Sequence, residues 1–155
     1  MGLLTNLIVK PLKYGILNDT DLLSRFTMPL KASEVFGNQS GKFVKLDTGE
    51  AAVAVAGSTE LIGWANTHGH TVGTGESAEI YNDIRAHFLI GSTSDDDAAA
   101  TDRGKTCDLE VNTNVQTANT DASSTDVIVI YDFNATLNLV EVGLNPLKMF
   151  ATGVI

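Results

Sequence analysis

Short apolar or alternating stretches, each followed by a turn sequence, recur from Gly41 onward and constrain this chain more than any other feature. Val44 and Leu46 alternate with polar neighbours, and a turn sequence then precedes the apolar stretch at 51–56, which predicts a β-hairpin. Further strands are predicted at 61–65, 78–81, 85–90, 108–115, 127–133 and 137–143. Spaced about ten residues apart, such strands favour a small barrel or sandwich. We therefore predict an all-β fold: a small antiparallel β-barrel or sandwich, β-tulip-like or jelly-roll-like, with an extended N-terminal arm.

Polar stretches rich in Gly, Thr, Asn, Ser and Asp separate the predicted strands, and we expect loops at 67–75, 91–106 and 116–126. By contrast, residues 127–133 include six apolar residues out of seven. A strand of this composition is typically buried on both faces or wrapped in a barrel. Trp64 lies in a predicted strand, and we expect it in the core rather than at an interface.

Residues 1–36 lack the regular strand pattern of the predicted β domain, which would span residues 37–155. Pro11 and Pro29 interrupt helical and strand periodicity, and only residues 19–26 could form a short helix. Large apolar side chains in such a segment favour burial, because each exposed one forgoes about 1.5–3 kcal/mol. The segment therefore packs on its own domain or lies as an arm across a neighbouring subunit. For the second alternative the candidate interface residues are Leu3, Leu4, Leu7, Ile8, Tyr14, Ile16, Leu17, Phe26 and Met28.

The formal net charge is −9, from 19 acidic and 10 basic side chains, and the bases do not cluster. Nucleic-acid-binding proteins need a clustered basic surface, so we expect no direct contact with DNA or RNA. The apolar run at 2–9 is too short to span a bilayer, and we expect no membrane partner. The single cysteine, Cys107, permits no intrachain disulfide and is expected to be a small buried residue.

Three motifs suggest chemistry but do not fulfil its requirements. Residues 37–42 look like a phosphate-binding loop, yet three residues separate the glycines and Phe43 follows the lysine, which predicts a turn into a strand. His68 and His70 could present two imidazoles to a metal, but we expect His87 to pack in its strand. Asp95 to Asp97 lack the spacing of a calcium loop. We therefore predict no catalytic, cofactor-binding or metal-binding residues and no enzymatic activity.

Residues 41–46 are followed by a Gly-containing turn and a strand rich in valine and alanine. Residues 61–65 are then followed by a Gly-rich loop, and the chain ends with the segments 145–148 and 151–153. Together these segments, over about residues 34–155, resemble the capsid decoration, or cement, proteins of tailed bacteriophages and their prophage relatives.

The resemblance implies a compact β domain that forms a homo-oligomer, commonly a trimer, on the outer face of an icosahedral shell. It implies that the partner is the major capsid protein, whose subunits the decoration protein links, and that no catalytic residues or cofactors are involved. Such a protein would be made in the host cytoplasm and reside on the outer capsid surface of the virion. Another phage structural component, such as a tail-tube or head-completion protein, and a carbohydrate-binding β module are alternatives.

Overall fold

The computed structural model of the protein describes residues 14–37, 39–93 and 99–149. Within these ranges the chain forms eleven β-strands and two short 3-10 helices, Ala100–Asp102 and Pro146–Lys148, which confirms the predicted all-β fold. The strands are β1 (Gly15–Ile16), β2 (Arg25–Pro29), β3 (Lys42–Asp47), β4 (Glu50–Val53), β5 (Gly63–Asn66), β6 (Ser77–Tyr81), β7 (Phe88–Ser92), β8 (Thr106–Asn112), β9 (Val115–Asn119), β10 (Ile128–Asn134) and β11 (Leu139–Leu144).

Among the strands described, five close into a barrel in the order β7, β11, β10, β8, β9, and β9 returns to pair with β7. The pairs that follow one another in this order are antiparallel, whereas β7 and β9 pair in parallel at Gly91 and Thr117. A ring with an odd number of strands cannot be antiparallel throughout. The predicted barrel is therefore confirmed, but it closes through a parallel pair. β1 occupies the same edge of β7 as β9, at Phe88 and Leu89.

A second sheet, antiparallel throughout, holds β2, β6, β5, β3 and β4 in that order. The predicted hairpin is confirmed as β3 and β4, which turn through Thr48 and Gly49. Both turn residues have positive φ, as a two-residue turn matched to the strand twist requires. The outer edge of β4 is covered by the segment after β2, because the Lys31 amide donates to the Ala51 carbonyl at 2.9 Å.

An aromatic cluster joins this sheet to the barrel. Trp64 stacks on Phe88 with ring centroids 4.9 Å apart, and Phe43 meets both rings edge-on. Trp64 is fully buried, which confirms it as a core residue, and Cys107 is buried in the same cluster as predicted. A second core, on the opposite face of the sheet, includes the fully buried Phe36. Apolar contacts on both faces therefore fix the sheet in place.

The prediction of a loop at 116–126 is wrong for its first residues, because Val115–Asn119 forms β9. Gln116 and Thr117 are polar, so alternation of apolar residues gave no strand signal there. The strand forms because β9 pairs with β8 along its whole length and because the Gln116 side chain is buried and hydrogen-bonded to Phe43 and Ala54. Tertiary contacts therefore override the local composition.

Asp108 organises the rest of that loop. Its carboxylate accepts hydrogen bonds from the backbone amides of Ser124, Thr125 and Asp126 at 3.1, 2.7 and 2.8 Å. Burial alone would raise the pKa of Asp108, but the hydrogen bonds outweigh it and hold the pKa well below its ordinary value. A single buried carboxylate thus orders a polar loop that lacks apolar anchors.

The short helix that the sequence allowed at 19–26 does not form, because the end of this stretch belongs to β2, which pairs with β6 along Arg25–Pro29. Propensity over eight residues is weak, and the sheet partner decides the conformation. Two predicted strands begin later than expected. β7 begins at Phe88 because residues 83–86 form a turn, and β11 begins at Leu139 because the Leu137 amide bonds the Asn134 side chain in a turn.

Candidate interaction surface

The residues predicted to form an interface divide into three groups. Leu3, Leu4, Leu7 and Ile8 lie outside the described residues. Tyr14 and Ile16 pack against the core that contains the aromatic cluster, and Met28 packs against the second core. The Leu17 amide donates to the His87 carbonyl at 2.8 Å. Phe26, on the edge strand β2, is 40% exposed.

The segment from 14 to 36 packs on its own domain, which was one of the two alternatives for the predicted arm. It supplies β1 and β2, and it places Leu23, Leu30 and Phe36 in the two cores. No break between this segment and the β domain appears at residue 36, because residues 30–36 cover the second core. Whether residues 1–13 reach a neighbour stays a prediction.

Beyond the N-terminal end of β1, the edge of β7 is already paired with β9. It pairs with β7 at Leu89 and Phe88, while β9 pairs with the next part of the same edge, beginning at Gly91. The Tyr14 hydroxyl lies so close to Gly91 that a side chain at that position would overlap it. The edge of β7 therefore offers β1 no room for extension toward the N-terminus.

Two turns at one end of the second sheet are fastened to each other, and we call them the turn pair: residues 20–24 and 82–86. The Ser24 amide donates to the Asp83 carboxylate at 2.8 Å, and the Arg85 guanidinium donates to the Leu22 carbonyl at 2.8 Å. Asp83 is 6% exposed and also accepts from Arg85 at 2.6 and 2.9 Å. Hydrogen bonds from Arg85 and then Ser24, working against burial, hold the pKa of Asp83 far below its ordinary value.

The turn pair displays two aliphatic side chains to solvent. Leu22 is 79% exposed and Ile84 is 48% exposed. Sequence reasoning missed both, since neither Leu22, which is followed by Leu23, nor Ile84 belongs to a periodic apolar pattern. The sequence does carry one relevant signal, because Asn82 and Asp83 precede Ile84 and favour a turn there.

Carboxylates surround Arg25 beside the turn pair. Its guanidinium lies within 3.2–3.5 Å of Asp19, Asp21 and Glu79, and its central carbon lies 5.4 Å from the centre of the Tyr81 ring. Burial, followed by the hydrogen bond to Asp19, raises the pKa of Tyr81 to about 12. The three carboxylates remain 45–103% exposed as side chains, whereas Arg25 is 27% exposed. This face therefore presents more negative than positive charge.

Lys42 begins β3, which confirms the predicted turn into a strand after Gly41. Its ammonium group is buried and donates to the carbonyl oxygens of Val35, at 2.8 Å, and Asn114. Burial lowers the pKa of Lys42, with Glu34 opposing the change. The side chain thus ties the sheet to the turn between β8 and β9.

His68 and His70 stack with ring centroids 4.2 Å apart, but both ring nitrogens of His70 are engaged. Nδ1 lies 2.9 Å from the His68 carbonyl oxygen, and Nε2 lies 2.6 Å from a Glu76 carboxylate oxygen. Because both neighbours are acceptors, both nitrogens must carry protons to bond them. These hydrogen bonds, first to His68 and then to Glu76, raise the pKa of His70. We call this arrangement the His70 clasp.

Replacing Glu76 with glutamine is expected to lower the pKa of His70 toward its ordinary value of about 6.5. A raised pKa means that the clasp stabilises the fold fully below the unfolded-state pKa and loses this effect as the pH rises through the folded-state pKa. An NMR titration of the His70 imidazole measures the change. Glu79→Gln is the matched control, since Glu79 is similarly exposed and pairs with Arg25. An unaltered His70 titration in Glu76→Gln would contradict the assignment.

Charged side chains also cross the outer wall of the barrel. Asp132 and Glu141 are paired on β10 and β11 and are 1% and 2% exposed. Arg103 donates to Asp132 at 2.7 and 2.9 Å, and His87 Nδ1 lies 2.5 Å from Glu141. His87 stacks on Tyr131, which confirms that it packs. Unpaired buried carboxylates are strongly destabilising, so Arg103 and His87 support the wall.

Within 14–37, 39–93 and 99–149, no group of three or more His, Cys, Asp or Glu side chains is arranged to hold a metal ion. Asp95 to Asp97 lie outside these ranges. No helix in the described part of the chain is long and apolar enough to cross a membrane. Neither the comparison with protein-family models nor the search of curated proteins finds a match.

Proposed function

We propose that this protein is a capsid decoration protein, which binds the outer surface of an icosahedral phage head and links subunits of the major capsid protein. The observation that carries the proposal concerns the edge of β7 next to β1, where the apolar N-terminal sequence joins the folded domain. Beyond β1 this edge is already paired with β9. Leu3, Leu4, Leu7 and Ile8 precede that point, and β7 offers them no free edge to continue β1. A surface on a neighbouring protein would bury them, as the proposed linking role requires.

The proposed function needs binding and no chemistry. A ligand that binds the assembled shell but not its dissociated subunits stabilises the shell by mass action. Many copies linked to one another add avidity. A trimer would carry a formal charge of −27, three times −9, which keeps the free protein soluble until it docks.

Deletion of residues 2–13 is expected to leave the domain folded while weakening its binding to shells at least about tenfold. The truncation ends at residue 13 because Leu23, Leu30 and Phe36 belong to the cores, and a deletion reaching them would unfold the domain. Binding is measured by co-sedimentation with undecorated, expanded shells assembled from a tailed-phage major capsid protein. The wild type is also expected to raise the disassembly temperature of these shells.

A matched variant replaces Leu3, Leu4, Leu7 and Ile8 with serine and keeps the length of the chain. Loss of binding in both variants assigns the effect to the apolar side chains. Wild-type protein that leaves the disassembly temperature unchanged would refute the proposed function. Truncated protein that binds as tightly as the wild type would refute the linking role of the arm alone.

A tail-tube or head-completion protein would assemble into tubes or rings, which negative-stain microscopy distinguishes from a decorated shell. A carbohydrate-binding module has one feature in its favour, an open polar groove of about 510 Å³ beside β8 and β9. Its hydroxyl groups come from Ser92, Thr93, Thr113 and Thr117, and the described lining contains no aromatic ring on which a sugar could stack. Specific binding on a glycan array would favour this alternative over capsid decoration.

A further inference from the structure

The exposed Leu22 and Ile84 side chains are held in a fixed arrangement. Their turns are cross-linked through Ser24, Asp83 and Arg85, and the Asn82 amide donates to the Ser24 carbonyl at 3.1 Å. Asp83, which is almost fully buried, is the centre of this network. Two apolar side chains on a rigid support lose little conformational freedom when they enter a pocket, so their arrangement favours tight binding.

The charge around these side chains selects the partner. Asp19, Asp21, Glu79 and Asp83 carry four negative charges, against two positive charges on Arg25 and Arg85. Both guanidinium groups already bond carboxylates of the same chain. A second copy docking on this face would bring acidic rims together, which is unfavourable. A different protein, with lysine or arginine around an aliphatic pocket, would complement both the shape and the charge.

We infer that Leu22 and Ile84 of the turn pair insert into an aliphatic pocket with a cationic rim on a subunit of the shell. The inference rests on the proposed function and names the contact surface, separate from residues 1–13, through which the folded body docks. The side chains supply the desolvated centre of the interface, and the carboxylates supply its polar rim.

The test uses Leu22→Lys and Ile84→Lys, each of which removes an apolar contact and adds a charge that the cationic rim repels. Each is expected to weaken co-sedimentation with expanded shells at least about thirtyfold. Leu137→Lys is the matched control, since Leu137 is 51% exposed in the turn at the opposite end of β7. Its binding is expected to change less than about twofold. Leu22→Ala removes the apolar contact without adding a charge and leaves no cavity, because the site is already exposed to solvent. Weaker shell binding by this variant assigns the loss to the apolar side chain.

The outcomes separate the two proposals. Wild-type protein that does not bind shells overturns both the proposed function and this contact. Wild-type binding that Leu22→Lys, Ile84→Lys and Leu22→Ala all retain overturns the contact alone. Sedimentation velocity of the free protein is a further test. If the wild type self-associates and Leu22→Lys abolishes this, the face binds a second copy, and the inferred partner is overturned. Wild-type binding lost in the turn-pair variants and kept in Leu137→Lys supports the contact.

Discussion

Replacement of Gln116 with methionine is expected to lower the free energy of unfolding by about 3–5 kcal/mol. In β3 and β4 the Phe43 amide would ordinarily bond the carbonyl of Ala54, its neighbour across the hairpin. Instead the Phe43 amide donates to Gln116 Oε1 at 2.8 Å, and Gln116 Nε2 donates to the Ala54 carbonyl at 2.9 Å. The side-chain amide thus takes the place of a backbone ladder bond and joins the barrel to the sheet.

Methionine fills nearly the same volume but leaves the Phe43 amide without a partner in a fully buried site. Leaving one buried polar group unpaired costs about 1–3 kcal/mol, and here a donor and an acceptor lose their partner together. Urea denaturation followed by tryptophan fluorescence measures the change, because Trp64 is buried in the adjoining cluster. Val115→Met is the control on the same strand; Val115 is 38% exposed, and its replacement should alter stability by less than about 0.5 kcal/mol. A similar loss in both variants would contradict the role of Gln116.

Replacement of Gly63 with alanine is expected to lower the free energy of unfolding by about 3 kcal/mol or more. Gly63 begins β5 with φ of 149°, and an added Cβ would collide with the Tyr81 carbonyl oxygen and lie 2.8 Å from a methyl group of Ile80. The carbonyl belongs to the backbone of β6, so only displacement of the strand could relieve the contact.

Gly57→Ala separates this steric effect from the cost of positive φ alone. Gly57 has φ of 81°, and an added Cβ there meets nothing within 4 Å. Its replacement should cost about 1 kcal/mol, the ordinary penalty for alanine in the left-handed region. Urea denaturation measures the loss of stability at both positions. Equal losses would show that the close approach of β6 to Gly63 does not cause the effect of Gly63→Ala.

The sequence predicted the strands whose residues have a clear period or a strongly apolar composition. The hairpin of β3 and β4 needed only alternation around Val44 and a turn sequence at Thr48 and Gly49, which are local signals. β10 was evident from its apolar residues, since Ile128 and Ile130 line the barrel. Burial of Trp64 also followed from residue type and strand context.

The candidate interaction surface was much less predictable. Tyr14, Ile16 and Met28 were interface candidates under one of two alternatives, and in the structure they pack against the cores of their own domain. Leu22 and Ile84, which are exposed in the structure, were not identified, because neither belongs to a periodic apolar pattern. The apolar character of the segment was correctly recognised, but which of its side chains face outward depends on the turn that Asp83 fastens.

By itself, the sequence determined the all-β class, the barrel or sandwich architecture and most strand positions, because alternation and turn chemistry act over a few residues. Only the tertiary structure decided that Gln116 lies in a strand, that residues 25–29 form β2, and that the barrel closes through a parallel pair. Each of these outcomes depends on partners distant along the chain. Hydrogen bonds such as those joining Gln116 to Phe43 across 73 positions leave no local pattern in the sequence.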